Sequence, residues 1–345
     1  MNSLSRTLIV IPVVGLLLAG CTRGRAGALF VSTDAGATFT ASDKLNTEES
    51  LNGETVLSLA ASAKRASVVF AGVKSKGVVV SRDAGQTWVS SGLTTGDPLD
   101  LVVHPQAAET LFAAVGQNIL RSSDDGASFS TVYADPGTVT SIAIDPAAPQ
   151  NVWAGTGQGS LVHSSNAGSS WQVAQRFTRP VTDVFVSPLG SAIAVGTAGA
   201  GFFVSADRGA TFTERTPIPE QNSAAQSADE VVAIAQASSV GSPLLLATTD
   251  GLFSTSDLGQ HWKQLPNPIA ETGSLSGLAA SASAPALVVA VASNTVAISS
   301  DGGATWATRD VATDRPLGPI SIVGKTIVCG VSGEGQGFIE RTLQR

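Results

Sequence analysis

"SRDAGQTW", residues 81–88, decides the fold. It sets Ser81, Asp83, Gly85, Thr87 and Trp88 within eight positions, a spacing that suits a hairpin turn, a metal loop or part of an active site. The rest of the chain chooses between them, because the phrase returns as "STDAGATF" (32–39), "SSDDGASF" (122–129), "SSNAGSSW" (164–171), "SADRGATF" (205–212), "TSDLGQHW" (255–262) and "SSDGGATW" (299–306). Its glycines, Gly36, Gly85, Gly126, Gly168, Gly209, Gly259 and Gly303, lie 49, 41, 42, 41, 50 and 44 residues apart. A period of roughly 40–45 residues is that of a four-stranded propeller blade. Helical repeats of similar length need long 3.6-periodic runs, and none are found.

Each copy reads as a clasp between two antiparallel strands. An aspartate at Asp34, Asp83, Asp124, Asp207, Asp257 or Asp301, or Asn166 in the fourth copy, accepts backbone N–H groups inside the turn. Glycine takes the positive φ, and the closing aromatic (Phe39, Trp88, Phe129, Trp171, Phe212, Trp262, Trp306) tucks beneath. One carboxylate per turn cannot supply the roughly 6–8 oxygens of a calcium shell. His104, His163 and His261 fall in three different units and give no zinc spacing. No metal and no cofactor is expected.

The phrase resembles the Asp box, S-x-D-x-G-x-T-W/F, also called the BNR repeat. Five copies keep every position. Asn166 departs in the fourth, and Thr255 and His261 in the sixth.

Between the boxes each unit has a grammar. In residues 139–175, "VTSIAIDP" reads as an inner strand, "NVWAGT" as the second, "GSLVHSS" as the third and "SWQVAQ" as the outer one. Six units are complete, and the first box has only third and fourth strands. The segment "PISIVGKTIVCGVSGEGQGFIERTL" supplies the missing first and second. The expected fold is all-β: a single seven-bladed β-propeller of four-stranded blades over residues 28–345, closed by strands from both termini, which removes open edges. Residues 337–343 read as a further third-type strand, so eight blades is the alternative.

Hydrophobic residues make up 43% of the chain, but in strand-length runs such as "VVFAGV" (68–73) and "LLLAT" (244–248). One run is longer. "MNSLSRTLIVIPVVGLLLAGC" carries Arg6, an apolar stretch from Leu8 to Leu18 and then small residues, the pattern of a secretory signal. Its end resembles the bacterial lipobox. That resemblance implies a signal peptide over 1–20, a lipid on the thiol of Cys21, a tether over 21–27 and an exported protein held at the cell envelope. Cys329, in "TIVCGV", reads as a small buried hydrophobe.

Asp boxes also occur in sialidases and xyloglucanases, so glycoside hydrolysis or carbohydrate binding is one functional class. The residues argue against it. The chain has one tyrosine, Tyr133, on an outer strand, and lacks the Phe/Tyr-Arg-Ile-Pro motif of sialidases. Xyloglucanases resemble two joined propellers, and here there is one. Four of the five tryptophans are in the boxes. The other class is a non-catalytic scaffold: a single Asp-box propeller behind a lipidated N-terminus looks like the photosystem II assembly and stability factor family of cyanobacteria and plastids. That likeness implies a membrane-associated protein partner. A net charge of −7 speaks against nucleic acid.

Two links between units are long, 43–54 and 216–230, and long loops on a rigid frame are where binding residues usually sit. A third link, "QRFTRPVTD" (175–183), places Arg176, Phe177 and Arg179 together. An exposed aromatic flanked by two arginines is the expected partner contact.

Overall fold

The computed structural model describes residues 27–46, 49–188, 190, 192–217, 230–237, 242–269, 274–281 and 286–333. The signal segment, Cys21, most of the 216–230 link and residues 337–343 lie outside them.

Short β-branched and aromatic runs punctuated by glycine and proline form strands and nothing else among the described residues. The chain begins with β1 (Leu29–Ser32) and β2 (Thr40–Ala41). Blade 1 follows as β3 (Val56–Ala61), β4 (Val69–Val73), β5 (Gly77–Ser81) and β6 (Val89–Ser90). Blade 2 is β7 (Pro98–Val103), β8 (Leu111–Val115), β9 (Asn118–Ser122) and β10 (Ser130–Ala134). Blade 3 is β11 (Val139–Ile144), β12 (Val152–Thr156), β13 (Ser160–Ser164) and β14 (Gln172–Arg176). Blade 4 is β15 (Val181–Val186), β16 (Ile193–Thr197), β17 (Phe202–Ser205) and β18 (Thr213–Glu214). Blade 5 is β19 (Val231–Gln236), β20 (Leu244–Thr248), β21 (Gly251–Thr255) and β22 (Lys263–Leu265). Blade 6 is β23 (Gly277–Ala280), β24 (Val288–Ala292), β25 (Thr295–Ser299) and β26 (Ala307–Asp310). The last two strands are β27 (Leu317–Val323) and β28 (Thr326–Val331).

These strands make seven four-stranded antiparallel sheets, a seven-bladed β-propeller. Blade 7 runs β2-β1-β28-β27, so both termini share one sheet. Phe30 lies opposite Cys329 and Ser32 opposite Ile327. The Arg315 guanidinium reinforces this closure. It donates to the carbonyls of Gly53 (2.9 Å), Glu54 (2.8 Å) and Ser332 (3.2 Å) and to Thr55 Oγ1 (2.8 Å).

The core is not one mass. Seven apolar clusters are found among the described residues, each shared by two neighbouring blades. Phe112 and Ile119 of blade 2 meet Ile142 and Val152 of blade 3, for example. Burying each such side chain contributes about 1.5–3 kcal/mol, so the ring is held by its interfaces.

Blades approach closely through small residues on their second strands. A Cβ on Gly72 would stand 2.6 Å from the Pro98 carbonyl oxygen of the next blade, and one on Gly330 2.6 Å from Val56. The outermost strands β2, β6 and β18 have only two residues each, which leaves little edge for another chain to pair with.

The described residues of the 43–54 link are anchored to the ring. Leu45 and Leu51 are buried in the cluster between blades 7 and 1. Ser42, just before it, accepts from the Trp88 indole N–H at 3.1 Å. In sequence this stretch reads as loop, because its two leucines are too far apart to show a period.

Candidate functional site

The seven recurrent turns share one hydrogen-bond pattern. In the second, the Ser81 hydroxyl donates to Asp83 Oδ1 (2.8 Å) and accepts from the Gly85 N–H (2.7 Å). Asp83 then accepts from the Thr87 N–H (2.8 Å) and hydroxyl (2.6 Å). Asn166 keeps the geometry by donating its amide to Ser170 Oγ at 2.9 Å. His261 replaces a threonine hydroxyl with Nδ1, 2.6 Å from Asp257. The hydroxyl and N–H donors hold Asp34, Asp124, Asp207 and Asp301 down at about 2. These carboxylates face solvent or are half-exposed; the buried member is the serine, with Ser81 fully buried. Two residues per turn take positive φ: Gly85 at 88° and Ala84 before it at 61°. Trp88 alone of the seven aromatics is fully buried, and the others are half-buried. Each carboxylate is engaged by donors inside its own turn.

The link 175–183 differs from expectation. Arg176 is the last residue of β14 and donates to Ser160 Oγ at 2.8 Å. Phe177 is buried, not exposed. Its ring packs 4.8 Å from Phe203 and 5.8 Å from Phe212, closing the core between blades 3 and 4. Arg176 and Arg179 are exposed on either side of it. A phenylalanine between two arginines looks the same in sequence whether it covers a core or awaits a partner; the packing of the next blade decides.

A site the sequence reading missed lies on the axis. Inner strands β3, β7, β11, β15, β19, β23 and β27 begin at the end of the axis where the blade-to-blade links arrive. Six of these seven carry a register shift within their first residues. The shift turns side chains toward the neighbouring blade. Ser58 donates to the Pro98 carbonyl (2.8 Å), Thr140 to that of Val181 (2.7 Å) and Thr182 to that of Val231 (2.9 Å).

The same ends enclose a cavity of about 190 Å³. One wall is polar: Asp100, Ser141 and Asp183, from three successive blades. Asp100 accepts from the N–H of Leu101 (2.8 Å) and of Ile142 (2.7 Å). Asp183 accepts from the N–H of Ile234 (2.8 Å) and the Ser141 hydroxyl (3.3 Å). Ser141 Oγ in turn accepts from the Val184 N–H at 3.1 Å. The opposite side carries Leu57, Val232, Leu278 and Ile320, with Ser58, Ser276 and Ser332 between them. Desolvation, with repulsion from Asp183, raises Asp100 to about 7. Desolvation raises Asp183 to about 6. Perturbed carboxyls in a cavity mark a candidate site. The signal available in sequence was an aspartate inside each of two apolar inner strands, "PLDLVV" and "VTDVFV".

Among the described residues no group of three or more His, Cys, Asp or Glu is placed to hold a metal.

By fold, the chain is one of the seven-bladed β-propellers. No family model matches the chain, and no curated protein matches it. Solved structures do. YCF48 from Cyanidioschyzon merolae aligns with a TM-score of 0.62 at 16% identity, over 81% of this chain and 94% of that one. A structure of YCF48 bound to D1 peptide aligns at 0.61 and 16%, over 89% and 98%. The GH74 xyloglucanase from Xanthomonas campestris aligns at 0.61 and 17%, over 74% of this chain. The present chain spans 45% of that enzyme's length. At these identities the likeness is one of fold.

Proposed function

We propose that this protein is a non-catalytic scaffold, exported and held at a membrane surface through a lipid on Cys21, whose propeller binds a protein partner. The observation that carries the reading is the likeness of the propeller to YCF48, one structure of which is bound to D1 peptide. The lipobox-like "LLLAGC" supports the anchor. Arg176 and Arg179, exposed at the same end as the links, remain candidate partner contacts without Phe177.

A glycosidase is the second reading, favoured by the carboxyl pair Asp100 and Asp183, one raised to about 7 as a general acid would be. Against it, the cavity's 190 Å³ falls below the roughly 300–1,000 Å³ of small-molecule sites. Both carboxylates also accept N–H groups from the following blade.

Co-purification from detergent-solubilised membranes tests the scaffold. The wild type should recover a specific protein that Arg176→Glu/Arg179→Glu loses at unchanged melting temperature. Equal recovery removes the arginines from the contact. Turnover of sialosides or β-glucans, abolished in Asp100→Asn, replaces the scaffold with the enzyme.

A further inference from the structure

The axial cavity joins a carboxyl-bearing side to a side richer in apolar residues, and its two carboxyl groups have no cation beside them among the described residues. Among the described residues, the ion pairs are Arg65–Asp125, Arg82–Asp125, Lys76–Glu54 and His261–Asp257; neither Asp100 nor Asp183 has one. Asp100 is bonded by the Leu101 and Ile142 N–H groups and faces the Ser141 hydroxyl; Asp183 is bonded by the Ile234 N–H and the Ser141 hydroxyl and faces the Val184 N–H. A carboxylate oxygen has about two acceptor positions, so the pair together still has room for a further donor. Raised carboxyls are what desolvated, unneutralised charge produces.

The cavity's size and walls restrict what fits. Its 190 Å³ corresponds to about six waters at roughly 30 Å³ each, room for one side chain and not for an oligosaccharide. A divalent metal would need roughly six to eight oxygens, and beyond the two carboxylates the facing side offers only the hydroxyls of Ser58, Ser276 and Ser332, each already donating to a backbone carbonyl, among Leu57, Val232, Leu278 and Ile320. An ammonium on a flexible aliphatic stem matches both walls: the stem lies on the leucine and valine surface and the charge reaches the carboxylates. The compact ammonium suits two carboxylates that approach from blades 2 and 4, on either side of Ser141, better than the broad guanidinium fork, which favours one carboxylate approached edge-on.

We propose that the axial cavity is a receptor for one lysine side chain of the protein partner, with the ammonium between Asp100 and Asp183. This deepens the scaffold reading and rests on it for the source of the lysine; the cavity's chemistry stands separately.

The test is titration of the intact mature protein with Nα-acetyl-lysine N-methylamide, followed by NMR. The norleucine analogue, which has the stem without the charge, and the arginine analogue run alongside. The lysine compound should bind saturably, at least tenfold more tightly than either comparison. Asp100→Asn and Asp183→Asn should each lose at least tenfold in affinity while keeping a folded spectrum. No saturable binding, equal binding of norleucine, or preference for arginine overturns the proposal. The three-compound comparison uses wild type only, so it decides the matter even if the asparagine variants fail to fold. Partner recovery separates this inference from the reading beneath it. If Asp183→Asn recovers the same partner as wild type, the scaffold stands and the lysine site falls. If the lysine compound binds but wild type recovers no partner, the cavity stands and the scaffold falls.

Discussion

The carboxylate of Asp100 accepts a hydrogen bond from the backbone N–H of Ile142, on the neighbouring blade, at 2.7 Å. Asp183 does the same for Ile234 at 2.8 Å, and Ser141 for Val184 at 3.1 Å. Three consecutive blade junctions, from blade 2 to blade 5, are thus fastened by side chains at one level of the axis. Asp183→Ala leaves the Ile234 N–H without this acceptor and should destabilise by roughly 1–3 kcal/mol, whereas Asp183→Asn keeps an acceptor and should cost less. Urea unfolding of both variants measures the difference; equal stabilities would mean that water replaces the carboxylate.

The same pair sets a pH dependence of definite sign. Asp100 and Asp183 have folded values of about 7 and 6, above the ordinary 3.8. The folded chain therefore holds protons more tightly than the unfolded one, and stability falls as pH rises from about 4 through 7. The recurrent turns act oppositely. Asp34, Asp124, Asp207 and Asp301 lie at about 2, so their contribution is present above 3.8 and lost as pH falls through 2. Melting temperatures of wild type and Asp100→Asn/Asp183→Asn across pH 4–8 should show the decline in wild type and a flatter curve in the double variant.

Within a turn, the serine should matter more than the aspartate. Ser81 is fully buried and holds the Gly85 N–H, while Asp83 is half-exposed and its threonine donor exposed. Ser81→Ala should cost roughly 1–3 kcal/mol and Asp83→Ala nearer 1 kcal/mol. The reverse order in thermal denaturation would place the clasp's strength in the carboxylate.

Blade spacing depends on Gly72. A side chain there meets the Pro98 carbonyl at 2.6 Å and its Cβ at 2.9 Å. Gly72→Val should cost roughly 1–3 kcal/mol or more by forcing blades 1 and 2 apart. Gly116, with nothing within 4 Å and φ of 58°, should accept asparagine with little loss. Denaturation midpoints of the two variants compare them directly.

The anchor has its own test. Cys21→Ser should release the protein to the soluble fraction or block its processing, since each buried methylene of an acyl chain contributes about 0.8 kcal/mol to membrane binding. A serine variant that still fractionates with membranes and is cut at the same bond refutes the lipidation.

The repeat alone pointed to seven blades, the four-strand grammar and the closure by both termini, with eight blades left open by residues 337–343 until the sheets were seen. Those properties follow from local signals, turn chemistry and alternation, that recur every 41 to 50 residues and reinforce one another. Phe177 and Asp100 show where such signals end. Whether Phe177 meets water depends on Phe203 and Phe212 arriving from the next blade. Asp100 and Asp183 are single polar residues in apolar strands, 83 positions apart. Only the curvature of the ring brings them to one cavity, because each blade contributes one inner strand to the axis and the third dimension sets which strands face each other.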